Sequence, residues 1–356
     1  MLNDNIIKEF ERLISFIKNQ KDEFQKQKDI KNVTANSFRL KQLNTVLSML
    51  KNYPEKITLK NYQELKEING IGVHTIQRIK EILENNKLSE LGEFKDNSFK
   101  KEAILDELES IVGVGRANAL EFYNQGITTV KMLKEFIKKK KIEVNEKIEL
   151  GLRYYGVYQK DIPRVEIDEI NKILDKIIKK FNKTYKLNEQ NKYIYQICGS
   201  YRREKPKSGD IDILVSKLDT ITDENSNNSD DDINHLERIV NILKTNLKYN
   251  DNKPLLIDDI TDKNFETKYM GFAKYKNNPV RRIDIRFVPY DSYFSALLYF
   301  TGSAELNKKM RSIAKKLNLK LSEYGLFKED GTKLKIKSEE DFFKKLDLDY
   351  IEPKYR

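Results

Sequence analysis

Along the first third of the chain, apolar residues recur at spacings of three and four. Ile6, Ile7, Phe10, Leu13, Ile14 and Ile17 line one helical face. Leu40, Leu43, Val46, Leu47 and Leu50 line a second, which Tyr53-Pro54 ends because the residue before proline is pushed out of helical backbone. Further helices are predicted from about His74 to Leu83 and from Arg116 to Tyr123. Both are entered through the same pattern, apolar-x-Gly-apolar-Gly: Ile68 to Gly72 and Ile111 to Gly115. Glycines allow the tight turn, and the amides of the helix that follows are then free to meet a phosphate. Two copies predict contacts with the backbone of DNA, which position a protein without reading sequence.

The pattern changes after Ile162-Pro163. A helix over about Glu166 to Asn182 leads to a strand, Tyr193 to Cys198. Asp219 to Asn234 holds six acidic residues and no Lys or Arg, and reads as a surface loop. A helix from about Ile233 to Leu247 precedes two strands, Thr267 to Ala273 and Val280 to Val288. Alternation along the second puts Arg282, Asp284 and Arg286 on one face and Ile283 and Ile285 on the other. A helix from about Ala304 to Leu317 carries Asn307 and Arg311 on one face. Asp330-Gly331, between Leu326-Phe327 and Leu334-Ile336, signals a hairpin. Ser338 with Asp341 reads as a capping box for a last helix.

Between these helices and strands lies the stretch with the most chemistry. Cys198-Gly199-Ser200-Tyr201-Arg202-Arg203 is a Gly-Ser turn with two arginines. Gly209-Asp210-Ile211-Asp212 follows, and its two carboxylates share a strand face. Paired carboxylates repel unless a cation lies between them, which suits Mg²⁺ held by carboxylates and substrate phosphates. Ser200 and Arg203 are of the right kind to grip phosphate oxygens. Asp284 completes a candidate third ligand.

Charge adds weight to a polyanionic partner. The 356 residues carry a formal net charge of +11 with 35% charged residues, although Lys and Asn abound throughout. Lys138 to Lys141 reads as a solvated helix end. A single cysteine, Cys198, excludes an internal disulfide. Met1 to Asp4 does not open like a signal peptide and no apolar run nears the length of a membrane span. The expectation is a soluble intracellular protein, in the nucleus or at a cytoplasmic viral replication site.

Taken in order, Gly199-Ser200-Tyr201-Arg202-Arg203, Gly209-Asp210-Ile211-Asp212, Arg281-Arg282-Ile283-Asp284-Ile285-Arg286 and Tyr299-Phe300-Thr301-Gly302-Ser303 resemble DNA polymerase family X, the polymerase beta-like enzymes. Tyr350-Ile351-Glu352-Pro353-Lys354 fits the family's ending. The resemblance implies an α+β multidomain chain. Residues 1–96 would be a helical 8-kDa-type domain with the first helix-hairpin-helix, and 97–162 a DNA-binding subdomain with the second. Residues 163–290 would be a nucleotidyltransferase palm with a mixed sheet, and 291–356 a nucleotide-selecting subdomain.

It further implies template-directed addition of deoxynucleotides to a primer 3′ end at short gaps, as in base excision repair. Asp210, Asp212 and Asp284 would hold two Mg²⁺ ions, with Mn²⁺ able to substitute. Ser200, Arg203 and Gly209 would take the triphosphate, and Tyr299, Phe300 and Gly302 the sugar. Asn307 would meet the incoming base. Arg282 and Arg311 would meet DNA, as would Gly70, Gly72, Gly113 and Gly115, with Na⁺ or K⁺ at the hairpins. Partners would be gapped or nicked duplex DNA and deoxynucleoside triphosphates, and the protein a monomer. The Gly302-Ser303 peptide would be cis.

Three departures stand out. Glu204 replaces the family's usual Gly, Ala304 an Asp that stacks on the base, and Asp161 an Arg. In addition, the lysine with which relatives remove 5′-deoxyribose phosphate is here Arg78, with His74 at a nearby basic position. A guanidinium stays protonated and forms no imine, so lyase activity is not expected unless Lys80 substitutes. Two other readings share these residues: a template-independent nucleotidyltransferase, and a catalytically weak DNA-binding scaffold.

Overall fold

A computed structural model describes residues 3–92, 96–220, 233–245, 250–261 and 265–356. Most of the acidic stretch, 221–232, lies outside the described residues. Contacts divide the chain into two compact units, Met1–Ile148 and Glu149–Arg356.

The first unit is helical. Helices α1 (Asp4–Lys26), α2 (Ile30–Lys51) and α3 (Val73–Asn85) bury the stripes that the sequence spacing marks out. Phe10, Leu13, Ile17, Leu50, Ile79 and Ile82 meet in their core. Each large apolar side chain removed from water contributes about 1.5–3 kcal/mol. Asp29 caps α2 by accepting from the Asn32 amide at 3.1 Å.

Helices α4 (Asp96–Glu109), α5 (Arg116–Asn124) and α6 (Val130–Lys138) form the second part of the unit, and α7 (Glu146–Arg153) runs across the division. One arginine joins the two parts. Arg116 donates to Asp22 of α1 at 2.7 Å, to both oxygens of Glu102 of α4 at 2.7 and 2.8 Å, and to Glu109 at 2.9 Å. Lys18 of α1 reaches Asp106 of α4 at 2.5 Å. The Lys138–Lys141 run is exposed, as a solvated helix end should be.

The second unit is built on a sheet. Strand β1 (Ile162–Pro163) precedes helix α8 (Arg164–Thr184) and strand β2 (Tyr193–Ile197). A single-turn helix α9 (Gly199–Arg202) and the short strand β3 (Lys207–Ser208) lead into β4 (Ile211–Lys217). Helix α10 (His235–Thr245) and strands β5 (Leu256–Asp259), β6 (Lys268–Ala273) and β7 (Arg281–Phe287) complete this half. The sheet order is β2-β4-β7-β6-β5. Only β4 and β7 pair in parallel; the other neighbours are antiparallel. Helices α8 and α10 cover one face with Ile170, Leu174, Ile177, Leu236, Ile239 and Leu243. The sheet is therefore mixed, and one face is left for chemistry.

The chain ends in helices α11 (Tyr293–Thr301) and α12 (Ala304–Lys316), a hairpin of β8 (Leu319–Ser322) and β9 (Gly325–Lys328), and helix α13 (Glu339–Lys345). Met310, Ala314, Leu326, Phe342 and Phe343 form their core.

One local expectation holds and another shifts. Besides the β8–β9 hairpin, Asp330-Gly331 turns the chain back as the sequence predicts: Phe327 bridges Lys333, the Lys328 amide donates to the Thr332 carbonyl at 2.9 Å, and the Leu334 amide donates to the Leu326 carbonyl at 2.8 Å. The β8–β9 turn holds Glu323-Tyr324, which lack the turn chemistry of Asn, Gly or Pro, so sequence pattern alone does not mark it. The Ser338 cap is present, its hydroxyl accepting from the Asp341 amide at 3.2 Å. However, Asp341 reaches back to the Lys337 amide at 2.7 Å, one residue before the cap.

Candidate active site

The centre of the open face follows from strand register. In the parallel pair β4–β7, Asp212 stands opposite Asp284, Ile211 opposite Ile283 and Ile213 opposite Ile285. The four isoleucines point into the core, at 0–3% exposure, so the two aspartates must point to the other side. Asp210 lies two residues before Asp212. Burial, reinforced by the charges of Asp210 and Asp284, pushes the Asp212 carboxyl up to about 7. Asp284 is also raised, chiefly by burial, with Arg282 opposing and Asp210 adding to the shift.

Two details bear on whether the residues present fit a metal ion. Oδ1 of Asp284 is buried and has no hydrogen-bond partner among the described residues. Asp210 Oδ2, in contrast, accepts from Arg282 Nη2 at 2.7 Å. Among the described residues no group of three or more acidic, His or Cys side chains is drawn together tightly enough to hold an ion. The donors are all carboxylate oxygens, two have raised proton affinity, and one oxygen is orphaned. That set fits a hard divalent cation that competes with Arg282 for Asp210.

The arginine turn lies against Asp212, the Cys198 amide just before it donating to the Asp212 carbonyl at 2.8 Å. Gly199 has a φ of +59°, and a Cβ there would lie 2.6 Å from Asp212 Oδ2, so only glycine fits beside that carboxylate. Ser200 Oγ donates to Ser208 Oγ at 2.8 Å. Gly209 is exposed just before Asp210, and a Cβ there would meet nothing within 4 Å. Arg203 Nη1 donates to the Thr301 carbonyl at 2.5 Å, while its Nε is buried with no partner among the described residues. Cys198 is buried and its thiol is pushed up by burial, which leaves it inert.

The second wall comes from α11 and α12. The Gly302-Ser303 peptide between them is cis, as expected. The rings of Tyr299 and Phe300 are nearly perpendicular, 5.0 Å apart. Asn307 and Arg311 share a face and both turn to Tyr299. Asn307 Nδ2 donates to its carbonyl at 2.8 Å, and the Arg311 guanidinium lies 4.9 Å above its ring. On the other side, the Arg286 guanidinium lies 5.5 Å from Phe300.

Structure also brings in residues that sequence reading passed over. Arg202 reaches Thr301 and Glu339, which lies 137 positions away. Arg164 of α8 donates to the Tyr201 carbonyl at 2.7 Å, and Tyr201 donates to Asp168 at 2.8 Å. Arg281, first residue of the Arg-Arg pair, turns inward to a bidentate pair with Glu166, both side chains under 10% exposed. No spacing rule links such distant partners.

In the first unit the two glycine patterns fold alike. Gly70 and Gly113 have φ of +102° and +89°. The Ile71 and Val114 amides each close a turn at 3.0 Å on the residue three before. Gly72 and Gly115 precede α3 and α5, and a Cβ on either would meet nothing within 4 Å. Arg78 is held by Glu90, with Nη2 to Oε2 at 3.0 Å. Lys80 is half exposed beside Glu84 at 3.7 Å, and His74 is exposed.

Comparison with known families accounts for nearly the whole chain. A helix-hairpin-helix domain matches residues 1–88 and the fingers domain of DNA polymerase lambda matches 106–157. The DNA polymerase beta palm matches 161–290 and the DNA polymerase beta thumb 296–356. Among curated proteins, DNA polymerase lambda of Rattus norvegicus is 28% identical over 91% of this chain and 53% of its own length. DNA polymerase lambda of Arabidopsis thaliana is 27% identical over 87% and 56%. A DNA nucleotidylexotransferase of Xenopus laevis is 27% identical over 86% and 61%. The chain thus spans just over half the length of the relatives it matches. With four matches in chain order and carboxylates in paired register on a mixed sheet, the chain belongs to DNA polymerase family X.

Proposed function

We propose that this chain is a template-directed DNA polymerase that adds deoxynucleotides to a primer 3′ end and fills short gaps in DNA repair. The observation that carries this reading is the pairing of Asp212 with Asp284 across β4 and β7, with Asp210 two residues away and the arginine turn lying against Asp212. We divide the chain functionally at 1–96, 97–162, 163–290 and 291–356.

Asp210, Asp212 and Asp284 would hold two divalent cations, Mg²⁺ by the hardness of their oxygens. When bound, the cations lower the pKa of the 3′-hydroxyl and offset charge on the triphosphate. The chain's own residues supply the rest. Asp284, whose Oδ1 is buried without a hydrogen-bond partner among the described residues, would accept the hydroxyl proton. Ser200, Arg203 and the Gly209 backbone take the triphosphate, and Tyr299, Phe300 and Gly302 line the sugar. Asn307 meets the base edge, Arg311 the template, and Arg282, once free of Asp210, the primer strand. Gly70, Gly72, Gly113 and Gly115 bring DNA phosphates onto helix N-termini, with a monovalent cation at the hairpin carbonyls.

A second reading, template-independent addition, has the resemblance to a DNA nucleotidylexotransferase in its favour. Primer extension on a one-nucleotide-gapped duplex with Mg²⁺ separates the two. The expected result is incorporation of the complementary nucleotide and loss of extension when the template base is omitted. Equal incorporation of all four nucleotides without a template would favour the second reading. No incorporation at all would refute both.

A further inference from the structure

Arg202 stands next to Arg203, yet it faces the other way. Its Nη1 donates to Thr301 Oγ1 at 2.7 Å and to Glu339 Oε1 at 2.9 Å, and its Nη2 donates to Glu339 Oε2 at 2.6 Å. Arg203 Nη1 donates to the carbonyl of the same Thr301 at 2.5 Å. Two successive arginines therefore hold both oxygens of one fully buried residue. Thr301 follows Tyr299 and Phe300 and precedes Gly302, the candidate sugar-facing positions.

Glu339 anchors this arrangement from α13. Its side chain is 7% exposed, that of Arg202 17%. Glu339 Oε1 also accepts from Arg356 Nη1 at 2.6 Å, and the Arg356 side chain is fully buried. One carboxylate thus serves two guanidinium groups, and Arg203 makes no ion pair with a carboxylate among the described residues. The division of labour is electrostatic. Glu339 holds Arg202 by a forked, charge-assisted pair. Arg203 is left with spare donors beside the aspartates for an anion from outside.

We propose that Glu339 and Arg202 are positioning residues for the incoming nucleotide, setting the place of Arg203 and of the Thr301-Gly302 turn around the triphosphate. Neither touches the reacting atoms. The proposal rests on the polymerase reading above. Losing one charge-assisted hydrogen bond of this kind is worth roughly ten- to a hundredfold in the interaction it supports.

The test compares Glu339→Gln and Arg202→Lys with wild type in extension of a gapped duplex, with Mg²⁺·dATP affinity measured by calorimetry. In each variant the nucleotide KM and Kd should rise about tenfold, while kcat and duplex affinity hold within twofold; Glu339→Gln, which also unpairs the buried Arg356, should in addition lower the melting temperature. The double variant should be no worse than either single one, because both break the same pair. Wild-type nucleotide affinity in both variants would overturn the proposal. So would a parallel fall in kcat, duplex affinity and stability, which would mark a packing role only. If Glu339→Gln does not fold, Arg202→Lys decides. If wild type does not extend primers, the polymerase reading fails, and the calorimetric comparison still decides on the pair.

Discussion

Single residues carry the chemistry, and their electrostatics make it testable without any substrate. The Asp212 carboxyl holds its proton up to about pH 7 in the fold, against near 4 when exposed in the unfolded chain. Between those values the folded state binds more protons, so the metal-free protein should lose stability as pH rises from about 4 to 7. The full effect is on the order of 4 kcal/mol. Urea unfolding in a chelator should show this slope, Asp212→Asn should flatten it, and added Mg²⁺ should restore stability at pH 7.5. A flat profile in the wild type would remove the electrostatic strain from the account. Arg78 supports a second prediction. It is tied to Glu90 and cannot form an imine, so borohydride trapping on an abasic substrate should give no cross-link. A cross-link lost on Lys80→Ala would reverse that.

Local elements show which features a sequence exposes and which it hides. Period-two alternation placed Asp284 on the same side as its flanking arginines, and the structure keeps it there. The hairpins were legible because glycine is the residue that the positive φ of Gly70 and Gly113 requires. Glu204 makes the same point in reverse. It has a φ of +58°, a conformation that favours glycine, and an L residue there costs about 1–2 kcal/mol. The Arg202–Glu339 pair was hidden because its partners are 137 residues apart and both types are common on surfaces. Sequence marks Arg282 as a DNA contact, but register alone does not tell that its guanidinium pairs with Asp210. The hairpin geometry separates folding from binding. A Cβ on Gly113 would lie 3.0 Å from the Ile148 amide nitrogen, so Gly113→Ala should destabilise the helical unit by about 2 kcal/mol or more. A Cβ on Gly115 meets open space, so Gly115→Ala should keep the fold and weaken gapped-duplex binding several-fold by fluorescence anisotropy. Unchanged binding in Gly115→Ala would place the phosphate elsewhere.

At the level of the whole molecule, the two units are built differently. Helices with paired glycine turns make up the first, and Arg116 joins its two parts through Asp22 and Glu102. A mixed sheet makes up the second, with α8 and α10 on one face and carboxylates on the other. No helix among the described residues is long and apolar enough to cross a membrane. The net charge of +11 suits a polyanionic substrate, and the acidic triad suits a cation within it. Everything in the proposed activity converges on Asp284, whose Oδ1 is buried without a hydrogen-bond partner among the described residues. The most direct measurement is single-turnover incorporation into a one-nucleotide gap by wild type and by Asp284→Ala, with nucleotide and duplex affinities measured alongside. The variant should stay folded, bind gapped duplex as wild type does, and lose at least a thousandfold in rate, about 4 kcal/mol of transition-state stabilisation. Incorporation by Asp284→Ala within tenfold of wild type would contradict the proposed activity.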